Sequence, residues 1–194
     1  MCGIIGSTVY KINENNLDEL NHRGPNSNGV YQNDHISLGH TRLSIIDIEN
    51  GQQPMVLENY KLALVFNGEI YNYKELRNQL KGVTFETDSD TEVLLKYYIN
   101  YGLEKTLRDI NGMFSFAIYD KGITFLVRDR FGIKPLFYSL RNFDLSFCSE
   151  ISPLKNLIGI ENLTINPQAV SMFFNTYYIA SPETIWNEIR SLEP

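Results

Sequence analysis

Residue 2 is a cysteine, and removal of Met1 would leave a chain that begins with a thiol and a free α-amine on one residue. Nucleophile and base then coincide. An α-amino group ordinarily titrates at about 7.7–8.0 and a thiol at about 8.5, so both exchange protons near neutrality without a separate histidine. Four further segments carry side chains suited to chemistry: His22-Arg23-Gly24-Pro25-Asn26, Gly39-His40-Thr41-Arg42-Leu43-Ser44-Ile45-Ile46-Asp47, Phe66-Asn67-Gly68-Glu69-Ile70-Tyr71-Asn72 and Ser89-Asp90-Thr91-Glu92. Taken singly, each has a plainer role. Cys2 can be an inert strand residue, Asn67-Gly68 a hairpin turn, Arg42 a solvated strand-end cation and Asp90 a helix N-cap. The two cysteines, Cys2 and Cys148, show neither a disulfide framework nor metal-ligand spacing to His22, His35 or His40, so no metal and no prosthetic group is implied.

The elements that must position these residues follow from local pattern. Cys2 to Tyr10 is small, glycine-bearing and β-branched, which favours a strand that fixes the N-terminus in space. A short helix is expected over 17–22, turn chemistry over 23–29, and strands over 30–32 and 36–41. A polar loop over 49–54 leads to an apolar strand over 61–66 that stops at Asn67-Gly68. Asn72 is placed to cap a helix over 73–80. The cluster over 89–92 opens a second helix that Gly102 closes, and a short helix over 103–110 follows. Strands over 113–121, 123–128, 136–140 and 145–149 read as an antiparallel meander. Asn166 and Pro167 open a helix from Gln168 to about Tyr177. Runs of strands around a helical block give a layered α+β fold rather than alternating βαβ units.

Composition excludes several functions. The chain has 194 residues, with 17 basic and 23 acidic side chains, a net charge of −6 and 43% hydrophobic residues. That is the balance of a globular protein with a real core, not of a disordered or fibrous one. A pI near 5.1 and the lack of a basic cluster argue against nucleic acid as a partner. No apolar run approaches the roughly 18 residues a membrane span needs, no basic leader precedes Cys2, and two unbridged cysteines suit the reducing cytoplasm. Residues 185–194 look like a strand and turn still under way, so the chain is expected to be a fragment cut at a domain boundary.

In their order along the chain, Cys2-Gly3-Ile4, the four segments above, Gly112-Met113-Phe114-Ser115-Phe116-Ala117-Ile118-Tyr119-Asp120 and Arg128-Asp129-Arg130-Phe131-Gly132-Ile133-Lys134-Pro135-Leu136 resemble the class II glutamine amidotransferases. Within that family they are most similar to the glutaminase domain of glutamine-hydrolysing asparagine synthetases. Leu43 after Arg42 and Phe66 before Asn67-Gly68 favour that branch over the sugar-phosphate and phosphoribosyl branches, which tend to show an aromatic and a histidine there. The resemblance covers essentially the whole chain. Asn26 departs from the aspartate usual after Arg-Gly-Pro.

The resemblance implies an N-terminal-nucleophile fold, an αββα sandwich of two antiparallel sheets flanked by helices. It implies hydrolysis of L-glutamine by Cys2, with Asn67 and Gly68 as oxyanion donors, which suits an amide side chain beside a glycine N–H. Arg42 would grip the substrate α-carboxylate and Asp90 its α-ammonium. Backbone groups of Leu43, Ile45 and Ile46 and the Glu69 position would line the pocket, while His40 is read as a structural hydrogen-bonder. The ammonia would pass to a C-terminal synthetase domain absent here, where ATP and Mg are expected. No Ser-Gly-Gly or Walker phosphate loop occurs in these 194 residues, so no cofactor is expected in this chain. A homodimer is compatible with this reading. The alternatives are an amidotransferase serving another acceptor, such as a sugar or carboxylate, and a catalytically silent glutamine-binding module.

Overall fold

Alternate residues of the strand Leu62–Ile70 enter different cores. Leu62, Leu64, Phe66 and Ile70 pack with Val93, Leu94 and Tyr97 of the helix Asp90–Asp109, whereas Ala63 and Val65 pack with Ile4, Leu38 and Phe147. The same period of two divides the first strand. Ile4 joins that second group, and Ile5 joins Leu17, Leu20, Leu154 and Ile158. Three cores between four layers result, which is the αββα stack.

The computed structural model describes residues 1–194. In chain order the elements are β1 (Gly3–Ser7), α1 (Glu14–Asp18), β2 (Ser27–Gln32), β3 (Ser37–Arg42), β4 (Met55–Leu57), β5 (Leu62–Ile70), α2 (Tyr73–Gln79), α3 (Asp90–Asp109), β6 (Gly112–Asp120), β7 (Ile123–Arg128), β8 (Phe137–Arg141), β9 (Asp144–Cys148), α4 (Ile151–Ile158), α5 (Pro167–Thr176) and β10 (Arg190–Ser191). One sheet has the order β10-β8-β9-β1-β3-β2 and the other β4-β5-β6-β7, and every named pair is antiparallel. Helices α2 and α3 cover the second sheet, and α1 and α4 cover the first. No helix is long and apolar enough to cross a membrane.

Several local expectations are corrected. Asn67-Gly68 is not a turn: β5 continues through both to Ile70, because β6 pairs with it residue by residue from Leu62↔Asp120 to Ile70↔Gly112. Ser27, Asn28 and Gly29 belong to β2, paired with β3. The first helix lies earlier, over Glu14–Asp18, where Asn13 and Asn16 form a capping box. Asn72 makes no cap bond. Its side chain instead donates to the Asp109 carbonyl and accepts from the Asn111 N–H, tying the start of α2 to the end of α3. The supposed meander divides after Arg128, with β6 and β7 in one sheet and β8 and β9 in the other. Gly102 does break its helix, with φ 76° and ψ 171°, and Asn166 caps α5 by accepting from the Gln168 and Ala169 N–H groups.

Candidate active site

β1 lies inside its sheet, between β9 and β3, and the register Gly3↔Thr41 brings Cys2 beside Arg42 and Leu43. The Leu43 N–H donates to Cys2 Sγ at 3.4 Å, and the thiol faces the Leu43 carbonyl at 3.7 Å. Arg23 holds the same residue from behind. Its Nε donates to the Cys2 carbonyl at 3.0 Å, and its second nitrogen donates to Glu150 at 2.9 Å, which His22 also reaches at 2.8 Å. Burial raises the Cys2 thiol pKa, while the Leu43 N–H, the terminal amine and Arg42 pull it back.

Asn67 has the same parity along β5 as Ala63 and Val65, so its side chain points between the sheets toward that thiol. It is 1% exposed, and neither its Oδ1 nor its Nδ2 has a hydrogen-bond partner. A buried amide left unpaired is costly, so it marks a place where a ligand's polar group belongs. Gly68 sits opposite Phe114. A Cβ there would run into the Met113 carbonyl and the Phe114 backbone, so the close approach of β6 requires glycine.

Asp90 opens α3, whose N-cap is Ser89 accepting from the Glu92 N–H at 3.1 Å. The Asp90 carboxylate accepts from the Ile70 N–H at 3.0 Å, which locks the helix start to the end of β5. Burial raises its pKa and the Glu69 charge adds to that, while the Ile70 and Thr91 N–H groups oppose it. Arg42 is buried and donates to the carbonyls of Ile46, Asp47 and Ile48 at 3.2, 2.5 and 2.9 Å. Its fork was expected to be free for a substrate; here it first folds the loop after β3. Asn26 supplies an oxygen to that loop too, accepting from the Ser44 N–H at 2.9 Å, so its departure from aspartate keeps the acceptor and drops the charge.

One cavity of about 170 Å³ gathers all of these residues: Cys2, Arg42, Leu43, Ile45, Ile46, Asn67, Gly68, Glu69 and Asp90. The match to a glutamine amidotransferase domain extends over residues 1–194. The chain belongs to the glutamine amidotransferase domain family. Relatives of this amidotransferase domain include asparagine synthetase [glutamine-hydrolyzing] 1 of Bacillus subtilis, 42% identical over 100% of this chain and 32% of the relative. A putative asparagine synthetase [glutamine-hydrolyzing] 2 of Methanocaldococcus jannaschii is 36% identical over 100% of this chain and 42% of its own. The chain thus spans less than half the length of either. Among solved structures, glutamine phosphoribosylpyrophosphate amidotransferase from B. subtilis superposes with a TM-score of 0.68 at 23% identity, covering 81% of this chain and 44% of that one. The shared fold is that of the N-terminal-nucleophile amidotransferases.

The amidotransferase domain also places at or beside this cavity residues that the sequence motifs gave no task. Gln53 lines the cavity, accepts from the Phe66 N–H at 2.7 Å and donates to Thr91 Oγ1 at 3.4 Å, joining the loop after β3 to β5 and α3. No local signal announces it. Arg23 and Lys134 lie within motifs singled out by residue type but received no task there. His40 is fully buried, and burial pushes its pKa down to about 3. Its Nε2 donates to the Phe66 carbonyl at 3.2 Å, so it bridges the sheets and is no partner of the thiol. Cys148 is wholly buried with its thiol pushed up to about 12 by burial, which makes it inert.

Proposed function

We propose that this domain hydrolyses the side-chain amide of L-glutamine and delivers ammonia to an ATP-dependent synthetase unit that amidates aspartate. The observation that carries the reading is Asn67, a buried amide with both polar atoms unpartnered, lining one cavity with the Cys2 thiol. Met1 is 53% exposed and therefore open to removal. Once it is gone, the Cys2 α-amine takes the Sγ proton and the thiolate attacks the amide carbon. The Asn67 amide and the Gly68 N–H receive the oxyanion. The amine returns the proton to the departing ammonia, and water resolves the γ-glutamyl thioester to glutamate.

Recognition of the free amino acid falls to the two ends of the cavity. Asp90 takes the α-ammonium, beside Glu69. Arg42 takes the α-carboxylate: a guanidinium has five N–H donors and three carbonyl bonds leave some free. The backbone at Leu43, Ile45 and Ile46 forms the wall between. ATP and Mg are assigned to the part of the relatives beyond this chain, and the unbridged cysteines suit work in the cytoplasm.

Glutamate release from L-glutamine by the chain, with Cys2→Ala beside it, tests this. Turnover that the substitution reduces to background supports Cys2 as nucleophile. Equal turnover in both proteins would remove it from the mechanism.

A further inference from the structure

Lys134 is 6% exposed and lines the cavity with Cys2 and Asn67, yet it enters none of the chain's ion pairs. Its stem is buried, while its ammonium still meets solvent at the cavity. Backbone bonds hold the residue there. Its N–H donates to Asp129 at 3.0 Å and its carbonyl accepts from Arg128 Nε at 2.8 Å. Asp129 also takes the N–H groups of Phe114, Phe131 and Ile133, so the segment that presents Lys134 is pinned to β6.

The ionisable groups around the chain terminus come from every wall of the cavity: the Cys2 thiol, Arg23 after α1, Arg42 of β3, Glu69 of β5, Asp90 of α3, and Lys134. Arg23 is paired with Glu150, and Arg42 is engaged by three carbonyls. Glu69 and Asp90 stand at the end assigned to the substrate ammonium. Arg42 likewise enters no ion pair, but Lys134 is left as the cation whose side chain makes neither an ion pair nor a hydrogen bond.

We propose that Lys134 keeps the terminal amine of the processed chain in its neutral, proton-accepting form, acting through its charge across the cavity rather than by contact. The inference rests on the reading of Cys2 and its amine as nucleophile and base, and it names what poises that base. A nearby cation disfavours the ammonium form, so the amine arrives at the Sγ proton already free. The amine at Met1 is held below its ordinary value by burial first, with the Cys2 charge opposing and the charges of Arg23 and, less, Lys134 adding to the lowering. Cys2, whose nitrogen becomes the terminal amine on processing, lines the same cavity.

The test compares the processed chain with Lys134→Met, Lys134→Gln and Lys134→Arg. Two readouts are followed against pH: kcat/KM for glutamine hydrolysis, and the NMR shift of the Cys2 amine nitrogen in ¹⁵N-cysteine-labelled protein. In both neutral variants the acid limb of the rate profile and the amine titration should move upward together by about half to one pH unit, with Lys134→Arg staying near wild type. Because the ammonium makes no side-chain bond, its removal should leave the thermal midpoint near wild type. An unmoved amine titration in either folded neutral variant would overturn the proposal. Absence of glutamine turnover in the wild type would count against the glutaminase reading, while the amine titration would still decide the role of Lys134.

Discussion

Asn67 has an environment unlike that of a structural asparagine, since its amide is sealed from water with nothing to bond. Asn67→Ala should lower turnover by about 10²–10³-fold, the usual cost of one oxyanion donor, while the thermal midpoint holds or rises because a buried unsatisfied amide is removed. Activity near wild type would contradict its role. Asp90 gives a pH signature. Because burial raises its pKa, the carboxylate is protonated at a higher pH than an exposed aspartate as acid is added. KM for glutamine should therefore rise on acidification, starting above the ordinary aspartate range, and Asp90→Asn should show a high KM without that rise. The sign for stability is opposite to that of a paired acid: the folded chain binds this proton more tightly than the unfolded one, so the group costs stability as pH climbs through its raised pKa. That Cys2, Asn67 and Asp90 share one cavity was legible through the motifs that carry the family resemblance. Gln53 and Lys134 were not, because what they do depends on which strand or terminus lies across the cavity from them.

The turn over residues 129–134 shows how an element, rather than a residue, sets the site. Asp129 is 2% exposed and accepts four backbone N–H bonds. Burial alone would raise its pKa, but those bonds outweigh it and hold the carboxyl below its usual range. Its contribution is present above the unfolded pKa and fades as pH falls through the folded one. Asp129→Ala should destabilise the chain by about 3 kcal/mol in urea unfolding at neutral pH and much less near pH 2. An equal loss at both would rule out the carboxylate as the cause. β6 and β7 were readable as apolar runs of strand length broken at Lys121-Gly122. Asn67-Gly68 misled because a local turn signal gave way to pairing along the full length of β6, and the segment of α4 received no assignment, although proline is tolerated in a first helical turn.

At the scale of the molecule, the site exists only because two sheets meet. Cys2 precedes a central strand of one and Asn67 lies on a strand of the other, with Ala63, Val65, Leu38 and Phe147 filling the space between. Their distance in sequence gives no hint of this; the alternation that sends Val65 inward and Phe66 outward does. The division of the strands after Arg128 between two sheets was not legible, since antiparallel pairing looks alike in either. The most direct measurement is the mass of the chain quenched in acid during glutamine turnover, followed by location of any adduct. One γ-glutamyl group should be found as a thioester on Cys2 and be absent from Cys2→Ala, with Cys148 unmodified. Turnover with Cys2 never acylated, or an adduct carried by Cys148, would contradict the assignment of Cys2 as the nucleophile.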